Sequence, residues 1–451
     1  MVPVAQGAMK FKLLKSLSIS VLIGLMFVAS VSHAMDQCRP RFGQMVVVVD
    51  PYGSGRLLKN EILDRSMIPV AVLSHSQLPS GYSFNPDGWR VIPYRNSQET
   101  SAELLNSPLN LVAVIDGADS GTVKAALLRD GLRARGWPIY GNTSRLAWAR
   151  RDKSVMAEIL HGLVPRQISS ANVDELLRFA RYLKYPVIVK PNRNAGGTHI
   201  QRCYSDEEVI SAIQKMRFGE MNEMLEIDTQ IIVQEVVKGD ELAFNGFRFA
   251  DGKVVFTGVW KYEREYRPGT ASIYVADRLL DPNQKMVSNL APTVKQSLQR
   301  LELVGPFHLE LIHGKVIDVG ARLSGGGLPI LERAGTDRDP VALTVSGYVD
   351  PLAVHELGEW YSLKEEVAAV FISSHGGARA SYRLRGELEK LVEVGDVVQY
   401  EFHYEDGAPL MPTVDSDSTV ATVLIRARTE AEREATIAKI LRWRDLKQFE
   451  R

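Results

Sequence analysis

Pro306-Phe-His-Leu-Glu310-Leu-Ile-His-Gly-Lys-Val-Ile-Asp318-Val-Gly-Ala-Arg322-Leu-Ser-Gly-Gly-Gly-Leu-Pro329 is the stretch on which the reading of this chain turns. Residues 307–312 alternate as a half-buried strand does, and residues 315–322 do so again. His313-Gly314 between them is turn material, so the two runs read as a hairpin with one acid at the centre of each strand, Glu310 and Asp318. Side chains change face at every strand residue, which puts Asp318, Gly320 and Arg322 on one face. A two-residue loop sets Glu310 opposite Ile317 and parts the acids. A three-residue loop, His313-Gly314-Lys315, sets Glu310 opposite Asp318. The reading favours the three-residue loop, because it yields facing carboxylates with an arginine beside them and a glycine-rich loop after. Two facing carboxylates call for a cation, and hard oxygen ligands alongside phosphates suit magnesium, with manganese as the alternative. Taken alone, the same pattern fits a surface hairpin with solvated acids.

Working outward, the chain before the hairpin alternates strands and helices. Residues 45–50 are a β-branched run of the kind buried on both faces, followed by Gly53-Ser54-Gly55 and a helical stretch over 56–66. Further strands are expected over 70–73 and 111–115, and a helix over 122–130, the order of a doubly wound parallel sheet. Gly53-x-Gly55 lacks the third glycine of a dinucleotide fingerprint and reads as a tight strand-to-helix turn. Past Asp152-Lys153, a helix over 174–183 precedes a strand over 186–191 that ends in Lys190. The polar loop Asn192-Arg193-Asn194-Ala195-Gly196-Gly197-Thr198 follows, where glycines let backbone N–H groups approach an anion. Taken alone, Lys190 is more often an ordinary solvated strand end and the loop more often a hairpin turn. Strands are expected over 231–237, 241–247 and 253–260, then a helix over 340–347 and a β-rich tail. No phosphate loop ending in Gly-Lys-Ser/Thr and no kinase motif is present.

The order of these pieces resembles the ATP-grasp superfamily. It is carried by Asp-Lys153-x-x-Met, Val-Ile-Val-Lys190-Pro with its glycine loop, and Val-Gln-Glu235-Val-Val-Lys-Gly-Asp-Glu241. His-Leu-Glu310 and Asp318-Val-Gly-Ala-Arg322 complete it. Trp260-Lys261-Tyr262-Glu263, taken with Gly-Ala-Arg-Leu-Ser-Gly-Gly, is similar to the L-amino acid ligase branch, whose members make dipeptides. The resemblance implies an α/β chain with the ATP-grasp fold, a Rossmann-like pre-grasp domain over 35–148 and an ATP-grasp domain over 149–350. Its lid would span about 153–235, and a β-rich C-terminal domain would cover 351–451. It implies an ATP-dependent carboxylate–amine ligase working through an acyl phosphate, on amino acids or other small carboxylates and amines. A non-catalytic nucleotide-binding protein is the rival.

Residue by residue, the resemblance gives Lys153 and Lys190 to the ATP phosphates and Gly196, Gly197 and Thr198 to the loop closing over them. Gln234, Glu235, Val236 and Val237 would lie along the adenine, and Glu241 would hold the ribose. Glu310 and Asp318 would carry magnesium, and Arg322 would stabilise charge during phosphoryl transfer. Trp260, Tyr262, Glu263, Gly325 and Gly326 would border the substrates, although an aromatic run at a strand end is more often core than substrate pocket. Asp318 stands where glutamate is usual, and Gly320 where asparagine is common.

Composition narrows the rest. The chain has 451 residues, 45% of them hydrophobic, enough for several domains. Lys plus Arg equals Asp plus Glu at 54 each, so no basic excess argues for a nucleic-acid partner. Two cysteines, Cys38 and Cys203, supply neither a disulfide framework nor a four-thiolate zinc site. Residues 9–34 carry a basic start, an apolar run too short for a stable membrane span and the small-x-small Ser32-His33-Ala34. Residues 1–34 are therefore a signal-like leader or the product of a start placed upstream of Met35. A cytoplasmic enzyme is expected because the chemistry needs ATP, with export as the alternative. A homodimer is compatible with all of this.

Overall fold

The computed structural model describes residues 43–216, 218–267, 273–416 and 418–444; the leader, Met35 and Cys38 lie outside them. The apolar run expected near the start is β1 (Gln44–Val49), buried from Met45 onward. It is central in a parallel sheet with β2 (Ile68–Leu73), β3 (Arg90–Pro93) and β4 (Asn110–Asp116), ordered β3-β2-β1-β4. The helical stretch after β1 opens as a short 3₁₀ turn, Gly53–Leu57, before the α-helix Leu58–Asp64. In such sheets, ligands are met beyond the carboxyl ends of the strands. Of the acids there, Asp50 accepts from Ser74 and Ser120, and Asp116 is committed to structure, since the buried Arg129 grips both its oxygens at 2.9 and 3.1 Å. Asp119, three residues on and just before the helix Thr122–Ala134, reaches the functional cleft instead.

A second, antiparallel sheet is built from β5 (Gln167–Ser170), β6 (Val187–Pro191), β7 (Gln201–Cys203) and β8 (Ile231–Glu235), ordered β5-β8-β6-β7. Leu176, Val187, Val209 and Val233 close its own small core, and the buried thiol of Cys203 packs among them.

The third sheet has eight strands. It contains β9 (Glu241–Arg248), β10 (Val254–Glu265), β11 (Ile273–Leu279), β12 (Gly305–Ile312) and β13 (Lys315–Gly320). β14 (Glu366–Ile372) joins it, while β15 (His375–Arg379) instead pairs with β17 (Pro409–Pro412) in a separate ribbon. β16 (Val397–Phe402) and β18 (Ala421–Ala427) complete the large sheet, ordered β13-β12-β9-β10-β11-β14-β18-β16. The C-terminal strands therefore extend the sheet that carries the hairpin acids. Helix Lys285–Arg300 crosses it with Val287, Val294 and Leu298 buried, despite an internal Pro292. The lost backbone hydrogen bond is outweighed by that apolar face. Among the described residues no helix is long and apolar enough to cross a membrane.

The hairpin corrects one expectation. Ile312 pairs with Lys315, so the loop has two residues, His313 and Gly314, with φ of 48° and 74°. Both positive angles are those of a type I′ turn, which matches strand twist. Glu310 nonetheless faces Asp318, because the register shifts between Glu310 and Leu311. A β-bulge at Ile317 supplies the extra residue that the loop does not. Val316 is buried in the core, and strict alternation would send Asp318 there too; the bulge puts Ile317 and Asp318 together on the cleft side.

Candidate active site

One cavity of about 640 Å³ lies over the large sheet, walled by the small antiparallel sheet and the N-terminal unit. Directly opposite residues of an antiparallel sheet share a face. The row Ile312–Glu241–Tyr262–Asp277–Ala369–Leu424–Gln399 therefore runs across six strand pairings on the cavity side. Glu310 and Asp318 stand beside one end of it.

At that end charges are interleaved. Lys153, near the start of the helix Lys153–Ile159, sits 3.2 Å from Asp318 Oδ2 and donates to the Asn194 carbonyl at 2.9 Å. Asp152 caps that helix and also receives Asn192 and Arg193, so one acid ties the helix to the glycine loop. Lys190 projects from β6 and donates to the Ile317 carbonyl at 3.4 Å, the backbone group that the bulge exposes. Burial, then the charge of Lys153, pushes Lys190 down to about 8 against the pull of Asp318 and Glu310. Burial works to raise Glu310, but the hydrogen bond and charge of His308, with Arg264 and Lys153, hold it well below the usual carboxylate range. His308 Nε2 lies 3.1 Å from Glu310 and its Nδ1 lies 2.7 Å from Asn245 Oδ1.

Arg322 is half-buried and clamped on Asp119 by two bonds of 2.7 and 3.0 Å. A Cβ at position 320 would sit 3.3 Å from the Arg322 guanidinium carbon and 3.4 Å from Asp119. Gly320 thus makes room for this pair. Burial opposes ionisation of Asp119, yet Arg322 and Arg151 bring it down to about 2. Asp119 was not among the residues singled out in the sequence. Its position just past the carboxyl end of β4 was the available signal.

The other expected residues divide. Gly196, Gly197, Thr198, Gln234, Glu241, Tyr262, Gly325 and Gly326 line the cavity. Gln234 Oε1 is buried there without a partner, as is Arg264 Nη1 beside Glu241. Glu235 turns away and binds the Arg166 guanidinium at 2.6 Å. Val236 and Val237 follow the end of β8 and are not cavity-lining. Two substrate expectations are corrected. Trp260 is fully buried, donating to Glu332 at 2.8 Å beneath the helix Leu328–Gly335, and Glu263 pairs with Arg278 at 2.7 Å outside the cavity. The aromatic packs because its row is covered by that helix, and Glu263 points to the opposite face from Tyr262.

The donors fit a phosphate-borne divalent ion. Among the described residues no three acids, imidazoles or thiols cluster closely enough to hold a metal by themselves. Two facing carboxylates with two lysines above them are a half-site, completed by oxygens of a phosphorylated ligand.

The family model for the ATP-grasp domain matches residues 183–328. The carbamoyl phosphate synthase large chain of Agathobacter rectalis is 25% identical over 309 residues, covering 60% of this chain and 28% of that one. That of Sulfolobus acidocaldarius is 24% identical over 242 residues, covering 51% and 22%. The chain thus spans less than a third of the length of these curated relatives. Among solved structures, an L-amino acid ligase from Bacillus licheniformis superposes with a TM-score of 0.68 at 16% identity, covering 89% of this chain and 97% of that one. N5-carboxyaminoimidazole synthetase from Staphylococcus aureus complexed with ADP gives 0.63 at 12%, covering 89% and 98%. At these identities the structural likeness speaks for the fold.

Proposed function

We propose that this chain, an ATP-grasp protein, is an ATP-dependent carboxylate–amine ligase that joins amino acids through an acyl phosphate. The observation that carries the reading is the bulge-set pairing of Glu310 with Asp318 beneath Lys153 and Lys190, at the closed end of a cavity large enough for a nucleotide and more.

In this reading Lys153 and Lys190 bind the phosphates as compact charges, and the backbone of Gly196–Thr198 covers them. Gln234, with its unpartnered oxygen, and the backbone that follows it read the adenine edge. Glu241 takes the ribose hydroxyls, exchanging its ion pair with Arg264. Glu310 and Asp318 would hold magnesium, which supplies charge neutralisation across the outer phosphates when bound. Arg322 offers its guanidinium where charge grows as the γ-phosphoryl group passes to a carboxylate oxygen. The amine then attacks the acyl carbon, the new C–N bond forms and phosphate leaves. Water must be kept from the acyl phosphate, and the glycine loop is placed to do so. Ser416 donates to the Gly196 carbonyl at 2.8 Å, holding that loop against the C-terminal strands. ATP dependence places the enzyme in the cytoplasm in this reading. N-terminal mass spectrometry of the native protein tests that location.

The test of the activity is ADP release by the full chain over pairs of L-amino acids. Release requiring both a carboxylate and an amine, and lost in Glu310→Gln and Arg322→Ala, supports the ligase. Nucleotide binding without release over the whole panel would favour the non-catalytic rival.

A further inference from the structure

Six acids line the cavity. Four have a lysine or arginine within 4 Å: Asp119 has Arg322, Glu241 has Arg264, Asp318 has Lys153 and Glu401 has Arg56; Glu310 has the His308 imidazole at 3.1 Å. Asp277 has neither among the described residues. It is 2% exposed, and its Oδ1 is buried without a hydrogen-bond partner. Burial of that kind disfavours the charged carboxylate, and a cationic ligand with hydrogen-bond donors would complete it. We propose that Asp277 holds the ammonium group of an amino-acid substrate.

The placement favours this ligand. Asp277 lies between Tyr262 and Ala369 in the row that begins beside the hairpin acids. Phe371, Leu424, Leu328 and Ile330 line the same cavity and offer apolar surface for a side chain. Arg264 is the cation that most favours the ionised form of Asp277, but its guanidinium is held at 2.8 Å by Glu241 and lies 3.3 Å over the Tyr274 ring. With that pair neutral, no cation of the described residues is left to match Asp277 once it ionises. A metal ion needs more oxygen donors than this lone carboxylate provides. A primary ammonium brings one positive charge and three donors in a compact head. Burial raises Asp277 well above the usual carboxylate range in the free protein, and an incoming ammonium favours its ionised form.

The inference rests on the ligase reading and names its substrate class, so the two are tested separately. Calorimetry of the full chain with Mg·ADP measures binding of L-amino acids and of their des-amino counterparts, such as L-alanine against propanoate. The wild type is expected to favour at least one amino acid over its counterpart by roughly 10- to 100-fold, the worth of one charge-assisted hydrogen bond. Asp277→Asn and Asp277→Leu should collapse that ratio toward one, with the melting temperature held or raised. A wild type with no preference, or variants that keep it, would overturn the assignment. So would a lowered melting temperature with the preference intact, which would make Asp277 a structural partner of Arg264. Absence of ADP release with every pair sinks the ligase reading alone, and the calorimetry still judges Asp277.

Discussion

Lys190 offers the most quantitative prediction. In the free protein, burial and Lys153 bring its ammonium from the ordinary 10.5 to about 8. A bound phosphate chain adds negative charge and favours the charged form, so binding raises the value. The sign follows by linkage. Below about 8, Lys190 is protonated in both states and nucleotide affinity does not depend on its titration. Above it, the free protein has lost the proton that the complex must recover, and affinity falls tenfold per pH step until the value in the complex is reached. A return to 10.5 corresponds to about 3 kcal/mol at high pH. Between pH 7.5 and 9.5, the dissociation constant for Mg·ADP should rise roughly 20-fold. The phosphate's second ionisation lies near 6 and is complete throughout that range. Calorimetry in buffers of different ionisation enthalpy should also show proton uptake near pH 9. Lys190→Arg, always charged, should flatten the dependence. A dissociation constant that stays flat to pH 9.5 without proton uptake would refute this placement of Lys190, as would an unchanged slope in Lys190→Arg.

Other substitutions probe the surrounding parts. Asp119→Asn leaves the half-buried Arg322 without its carboxylate and should cost about 1–2 kcal/mol, read from the urea midpoint; an unmoved midpoint would deny the pair its structural weight. A Cβ at Gly325 meets nothing within 4 Å, so Gly325→Trp should fill the cavity and narrow the product range to small side chains by mass spectrometry, whereas an unaltered range would place the loop outside the pocket. Gly326 is equally open but has φ of 63°, which confounds substitution with strain, and at Gly327 a Cβ would strike Leu424 at 2.7 Å. Ser416→Ala removes the shorter of two bonds from Ser416 to the Gly196 carbonyl, leaving the backbone N–H at 3.3 Å, and should raise ADP release relative to amide; an unaltered ratio would show that the hydroxyl does not hold the loop.

Much of this architecture was legible because its signals are local. The β-branched run of β1, the strand ending in Lys190 and the alternation around Glu310 each declare themselves within a few residues. What escaped depended on contacts distant in sequence. The acids face each other through a bulge at Ile317 rather than a longer loop, and a bulge leaves no mark in the alternation of a six-residue strand. β11 went unread because Asp277 sits where an apolar residue would keep the pattern, which is why the strand carrying the unmatched carboxylate was missed. Pro292 disguised the helix Lys285–Arg300. Trp260 looked like a pocket residue because nothing in its own strand shows that the helix Leu328–Gly335 lies over it. Asp119 joined the site only when the N-terminal unit met the hairpin's arginine.

The central claim is that a carboxylate oxygen takes the γ-phosphoryl group of ATP and leaves with it. L-amino acids labelled with ¹⁸O in both carboxylate oxygens, incubated with ATP and an amine partner, test it directly. Activation through an acyl phosphate must transfer one label, so the released inorganic phosphate should carry a single ¹⁸O in step with amide formation, and Glu310→Gln should release none. Phosphate released without label while amide accumulates would contradict the account, because the carboxylate would then have been activated by another route.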